Sequence, residues 1–195
     1  MHKEIQKIIE QYLEIFPQEK KRLESIVQCF PLGESIISRK NVTGHITVSA
    51  IVLSEDKKKA LFIYHKQLQR LLQPGGHIEV ADKDLLDACR REIREETGLN
   101  AVELLDLMGQ QLPIDIDIHL IPSNEKKGEA EHFHYDFRFV FIAQGSLVTI
   151  QEEEVDGFTW IPINDATRYE KFKIIFQKIH FLFDQKKPAI SSIKS

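Results

Sequence analysis

The chain has 195 residues, 42% of them hydrophobic, and a formal net charge of −4. That length suits one domain with an added subdomain, and the apolar share is enough for a core. The acidic balance argues against a dedicated nucleic-acid binder, and no apolar run approaches the roughly 20 residues of a membrane span.

The first residues, MHKEIQKIIEQYLEIFPQEKK, are too polar for a signal peptide. Two cysteines, Cys29 and Cys89, supply no disulfide framework, so a reduced, cytoplasmic compartment is expected. Ile5, Ile8, Ile9, Tyr12, Leu13 and Phe16 recur at helical spacing. Two amphipathic helices are predicted before Pro31, broken at Pro17, making residues 1–40 a helical extension that leaves a homodimer open. His45–Ser54 and Lys59–Lys66, rich in β-branched and aromatic residues, predict strands around a charged turn. A glycine turn at Gly75-Gly76 then leads into a helix over about Asp84–Thr97, which Gly98 ends. AVELLDLMGQQL and IDIDIHLI predict a further strand or a pair, and SNEKKGEAE a polar loop. HFHYDFRFVFIA alternates cleanly and is the clearest strand. EEEVDGFTWIPI joins an acidic turn to a short strand, with Trp160 expected in the core. A final helical region completes a domain over residues 41–185, followed by a flexible tail, 186–195. The irregular mixture of strands and helices points to an α+β class.

The chemistry concentrates in REIREETGL. On a helix, Glu92, Glu95 and Glu96 stand at i, i+3 and i+4 and share one face. Oxygen ligands grouped this way suit a hard cation, Mg²⁺ or Mn²⁺. Gly75-Gly76 lets the backbone approach the same point and add a carbonyl ligand. Arg91 and Arg94 flank the carboxylates as ion-pair partners. The bland alternative is a solvated, salt-bridged helix face. The glycines before and after the run favour the metal reading.

The same residues resemble the signature of the Nudix hydrolases. Gly76, Arg91, Glu92, Ile93, Glu95, Glu96, Gly98 and Leu99 match it. Two departures stand out: Asp82 replaces the first Glu, and eight residues rather than seven separate it from Arg91. The extra residue falls in the loop before the helix, where insertion costs little, and Asp82 is expected to support that loop. A looser match runs from Gly44 to Pro162. The resemblance implies a mixed sheet sandwiched between helices and divalent-metal-dependent hydrolysis of a nucleoside diphosphate linked to another moiety. It implies Glu95 and Glu96 as principal metal ligands and Glu92 as a ligand or water activator. Arg91 would orient Glu92, and the Gly75 carbonyl would bind metal. A late acidic residue, Glu153 or Glu154, would reach the metal or act as base, with Glu154 the catalytic candidate; a solvated turn is the competing reading. Two other classes stand as alternatives: a Nudix-type diphosphate isomerase, for which no second cysteine lies near a plausible pocket beside Cys89, and a ligand-sensing module, whose mark, a degraded box, is not seen here.

A second constellation is HFHYD. On a strand, His132, His134, Asp136 and Arg138 share one face, and Phe133, Tyr135, Phe137, Phe139 and Phe141 the other. The aromatic face is expected to be core. The polar face, joined by His119 and His45, is expected to bind the small-molecule substrate. A sharper alternative makes His119, His132 and His134 a transition-metal site, and a blander one leaves them at a sheet edge. Arg138 and Lys66 are candidate phosphate contacts, against the commoner surface role of long basic side chains. Specificity beyond the diphosphate is expected from Ile118–Tyr135 and Arg39–Thr47.

Overall fold

A computed structural model describes residues 1–29, 36–66, 68–125, 128–145, 148–150, 155–166 and 170–185. Helix α1 (His2–Ile15) is followed by a 3₁₀ turn at Pro17–Glu19 and by α2 (Glu24–Cys29). Pro17 has no N–H to donate and takes the first position of the short turn, so the chain breaks where predicted.

Among the described residues, eight strands form one mixed sheet. They are β1 (Gly44–Leu53), β2 (Lys59–His65), β3 (Arg70–Leu72), β4 (Gly75–His77), β5 (Val102–Leu104), β6 (Asp115–Ile121), β7 (His132–Ala143) and β8 (Val155–Pro162). The backbone of the sheet is the parallel pair β1 and β7, in register from Gly44↔Phe133 to Leu53↔Ile142. On the other edge of β1 lie β4 and the end of β2, both antiparallel. β7 carries β5 and β6 antiparallel, and β2 carries β3 and β8. β1 is buried along its whole length, as its run of β-branched residues requires of a central strand.

Helix α3 (Leu85–Thr97) starts where the side chain of Asp84 accepts a hydrogen bond from the Asp87 amide, 2.7 Å away. It ends at Gly98, in the left-handed region at φ 68°, whose N–H reaches the Arg94 carbonyl. A short α4 (Ile163–Ala166) leads to α5 (Glu170–Gln185). Ile5 and Ile9 of α1, Ala88 and Ile93 of α3, and Ile175 and Phe176 of α5 join Phe137, Phe139 and Phe141 in one contiguous core. The N-terminal helices therefore share the core of the sheet.

Four points differ from the sequence expectations or fall outside their reach. Gly75 and Gly76 are not a turn but part of strand β4, and neither has a positive φ. β3, only three residues long, has too little alternation to be read. Phe133 at the start of β7 is 41% exposed, so the aromatic face is core only from Tyr135 onward. The acidic run Glu152–Glu154 and the tail 186–195 lie outside the described residues.

One buried ionic network ties the extension to the domain. The ammonium of Lys178 on α5 donates to Asp115 Oδ1 on β6 at 2.8 Å and to the Tyr12 hydroxyl on α1 at 2.8 Å, and lies 2.7 Å from Glu19 Oε1. Arg22 adds a second cation to Asp115 at 3.0 Å and pairs with Glu19. Burial, then Asp115 and Glu19, push the Tyr12 hydroxyl well above its ordinary pKa, so it stays a donor. Removing one partner of such a pair costs about 3–5 kcal/mol because the other charges stay buried. Lys178→Met is expected near the lower figure, since Arg22 still pairs Asp115. A chain of this size should lose roughly 6–12 °C in melting temperature at 2–4 °C per kcal/mol, read by calorimetry; a change under a degree would show that the network is not what anchors α1.

Candidate active site

The site is built where β4 meets α3. An added Cβ on Gly75 would stand 2.4 Å from the Val48 carbonyl oxygen and 2.6 Å from Ser49 Cβ. One on Gly76 would stand 2.5 Å from Glu92 Oε1. Both glycines are demanded by close approach, one to the backbone of β1 and the other to a carboxylate of α3. The Gly75 amide donates to Glu96 Oε2 at 2.9 Å, and Glu96 is buried.

Arg91 organises the remaining carboxylates. Its guanidinium donates Nε and Nη2 to the two oxygens of Asp82, both at 3.0 Å, and Nη1 to Glu92 Oε1 at 2.8 Å and Glu95 Oε2 at 3.0 Å. Nη2 also donates to the His77 carbonyl at 2.8 Å. Those contacts use all five N–H donors of the fork. The hydrogen bonds to Asp82 lead in holding Arg91 protonated far above physiological pH. Burial alone would raise the pKa of Asp82, but the bonds from Arg91 and from the Glu79 amide outweigh it, and the net shift is downward. Asp82 thus ties the loop before α3 to the guanidinium. Glu92 is mostly covered, with 13% of its side chain exposed, whereas Glu95 has 46% exposed and Arg94 is exposed as well.

The second constellation forms rows across the polar face of the sheet. Strand register sets His45 beside His134 and His134 beside His119; the next row is Thr47, Asp136 and Asp117, and the next Ser49, Arg138 and Asp115. Buried Asp136 accepts from Thr47, from Ser49 at 2.8 Å and from Arg138 at 2.9 Å. Arg138 is ringed by Asp115, Asp117 and Asp136, at 3.3, 2.7 and 2.9 Å. Its charge is matched within the sheet, which differs from the free phosphate contact expected of it. Lys66 pairs with Asp156 at the surface, 3.6 Å away.

Five of the chain's eight histidines gather at one end of this face. The His45 ring lies 4.8 Å from that of His134, 4.9 Å from His132 and 5.0 Å from His77. His119 stands 5.5 Å from His134, its Nδ1 3.0 Å from Asp117 Oδ2. Burial, then the neighbouring imidazoles, drive the pKa of His134 down to about 3. Burial and His132 lower that of His45, with the Asn41 backbone opposing. His77 was missed by sequence reasoning. The structure brings it in through the pairing of GGH with β1, which sets His77 opposite Thr47 and onto the histidine face and which no sequence signal declares.

Among the residues named from the sequence, Arg91 joins Glu92 and Glu95 while the Gly75 amide holds Glu96, and His45, His119, His132 and His134 come together. Glu154 lies outside the described residues. Trp160 is only partly buried, packed against the core. Two cavities of about 290 Å³ touch neither group: one lies between α1 and the start of α3, the other beside Trp160.

A family model of the NUDIX domain matches residues 43–182. The chain belongs to the Nudix hydrolase family. A Lactococcus lactis protein named probable DHNTP pyrophosphohydrolase is 32% identical over 153 residues, spanning 76% of this chain and 81% of the relative. The fold is similar to that of a NUDIX-family hydrolase from Clostridium perfringens, with a TM-score of 0.52 at 24% identity over 73% of this chain and 98% of that one. It is similar also to a C. elegans Ap4A hydrolase in a binary complex, with a TM-score of 0.54 at 12% identity over 72% of this chain and 98% of that one. As a Nudix hydrolase the chain acts on phosphoanhydride bonds, and its family generally uses divalent metals. The isomerase alternative finds no support in Cys89, which is buried against the Ser49 carbonyl with its thiol pKa pushed up by burial, then by Asp136 and Glu92. No helix among the described residues is long and apolar enough to cross a membrane.

Two expectations follow from the geometry. Gly75→Ala drives a methyl into the backbone of β1 and should destabilise the fold by about 1–3 kcal/mol. Gly76→Ala meets the carboxylate end of the Glu92 side chain rather than backbone. It should fold nearly as well as the parent yet lose on the order of 10²-fold in turnover, as an ångström of misplacement does; parallel melting curves and rate assays separate the two.

Asp117 supplies the acid dependence. Burial raises its pKa, but the bond from His119 and the charge of Arg138 win, bringing it to about 2 in the folded chain. Its contribution is present above the unfolded value of about 3.9 and is lost as pH falls toward 2. Urea titrations between pH 5 and 2 should show a shallower loss in Asp117→Asn than in the parent.

Proposed function

We propose that this Nudix hydrolase uses Mg²⁺ or Mn²⁺, held by Glu92, Glu95 and Glu96 with Gly75, to cleave the phosphoanhydride bond of a nucleoside diphosphate-linked or related small molecule. The observation that carries this reading is Arg91, whose five donors hold Asp82, Glu92, Glu95 and the His77 carbonyl while the Gly75 amide holds Glu96. A solvated helix face has no need of a largely covered guanidinium saturated in this way, nor of a glycine that leaves room for a carboxylate. The donor chemistry fits: carboxylate oxygens beside a close-lying backbone are what a hard, oxygen-seeking cation selects. When bound, the metal neutralises phosphate oxygens and makes its water more acidic.

The protein's own part is positioning. Arg91 fixes the orientation of Glu92, which is placed to hold metal or take a proton from the attacking water. Glu154 is the candidate for a further base. Asp136 and Arg138 act as positioning residues, holding β1, β6 and β7 together behind the histidine row. His119 and the residues of Ile118–Tyr135 and Arg39–Thr47 outside the His45, His132 and His134 cluster read the part of the substrate beyond the phosphates. The two free cysteines suit a reducing, cytoplasmic setting.

The test pairs a substrate panel with one substitution. DHNTP, nucleotide sugars, dinucleoside polyphosphates and nucleoside triphosphates are assayed with Mg²⁺ and Mn²⁺, and the products identified. Glu96→Gln keeps an oxygen that accepts from the Gly75 amide, so metal-free stability should barely change. The same variant should lose most of the stabilisation by Mn²⁺ and at least about 100-fold in turnover, because a ligand bound only by the folded state stabilises it by mass action. Near-normal turnover in both Glu95→Gln and Glu96→Gln would remove the carboxylates from the mechanism.

A further inference from the structure

The histidine cluster goes beyond the hydrolytic centre. We propose that His45, His77 and His134, with His132 as a fourth donor, form a second metal site, one for a borderline divalent transition metal such as Zn²⁺. Ligand nitrogens of His45, His77 and His134 all lie within 4.8 Å of one another. They come from β1, β4 and β7, three strands far apart in sequence and adjacent in the sheet.

Three observations point to a metal rather than to packing. First, His45 is only 2% exposed, and among the described residues neither of its ring nitrogens makes a hydrogen bond of ordinary geometry, the Asn41 backbone acting on the ring only weakly against the effect of burial. Buried polar atoms are nearly always satisfied, and an exception calls for an unseen water or ion. The ring is aimed into the cluster, against His77, His132 and His134. Second, the Nδ1 of His132 lies 2.8 Å from the Ala130 carbonyl, which places the proton there and leaves Nε2 an acceptor whose lone pair is directed at His134, its hydrogen-bond partner. That Nε2 lies 3.3 Å from Nε2 of His134, about the separation of two nitrogens on one tetrahedral zinc at 2.0–2.1 Å. Third, the donor set is all imidazole. That chemistry suits zinc, copper or nickel and disfavours Mg²⁺, whereas the carboxylates of α3 prefer the reverse. His77 and His134 are half-buried.

The site has a structural consequence. Successive side chains of a strand point to opposite sides. Gly76 faces Glu92 while His77 faces His45 and His134. A metal on His77 therefore pins β4 to β1 and β7, and with it the glycines against which α3 sets its carboxylates.

The experiment uses the full chain without an affinity tag, stripped by chelator and returned to excess Mg²⁺. Zn²⁺ binding is measured by competition with a chromophoric chelator, and Co²⁺ is substituted to read the ligand field. One zinc per chain is expected, with the visible bands of tetrahedral nitrogen-ligated Co²⁺ and a raised melting temperature. His134→Gln and His77→Gln should each weaken zinc by at least about 100-fold, since loss of even an outer partner costs 10–100-fold. Both residues are partly exposed, so the test stands even where His45→Gln does not fold. His180→Gln, outside the cluster, should bind zinc as the parent does. Glu96→Gln should keep the zinc while losing its Mn²⁺ response, which separates failure of this site from failure of the hydrolytic one. Absence of zinc binding, undiminished affinity in both His variants, or loss of zinc in Glu96→Gln would overturn the assignment.

Discussion

The structure depends on how closely β4 can approach its neighbours. A three-residue strand lies against β1 on one side and under the carboxylates of α3 on the other, and neither approach leaves room for a Cβ at Gly75 or Gly76. Because Gly75 sits on β1, its amide faces Glu96 at 2.9 Å. Because Gly76 has no side chain, Glu92 occupies that volume. The helix is thereby registered to the sheet by backbone contact, which is stiffer than a contact between long side chains and holds a site to the fraction of an ångström that phosphoryl chemistry asks for.

Charge follows from that registration. Three glutamates within about one helical turn repel each other, and like-charged pairs at this spacing cost roughly 0.2–0.5 kcal/mol each. Arg91 answers two of them and the Gly75 amide the third. Asp82 then fixes Arg91 through both of its oxygens. The replacement of Glu by Asp and the extra residue before the helix are accommodated here: the bidentate pair forms across the longer loop, and the Glu79 amide closes that loop onto the same carboxylate. The polar face of the sheet shows the same logic: Asp115 and Asp117 of β6 are matched by Arg138 on β7, Asp115 also by Lys178 on α5, and Asp136 by Arg138 two residues along its own strand.

Much of this was legible in the sequence, for identifiable reasons. The bounds of α3 were readable because Asp84 and Gly98 mark its two ends by side-chain capping and a left-handed residue. β7 was readable because its first half alternates polar and aromatic residues. The Nudix assignment was readable because REIREETGL keeps its spacing on one helix. The strand character of Gly75–His77 was not, since glycine pairs ordinarily signal turns and here signal close approach. The role of Arg138 was not, because its three carboxylate partners come from two strands whose register the sequence does not declare. His77 was missed for the same reason: it joins the histidines only through the pairing of Thr47 with His77.

The alternation of β4 finally explains why two donor chemistries can sit so near each other without interfering. Oxygen and nitrogen ligands mixed in one cavity would bind a single ion of intermediate preference, and the more tightly held transition metal would displace Mg²⁺. One residue of strand separates them here. Gly76 opens toward the carboxylates and His77 toward the imidazoles, so the pleat directs each donor set to its own side. Arg91 strengthens the division, because its guanidinium lies on the His77 carbonyl as well as on Glu92 and Glu95 and sets a positive charge at the boundary. A cation on the carboxylates and a cation on the imidazoles would share one rigid element, β4, and would be coupled through its position rather than through a shared ligand.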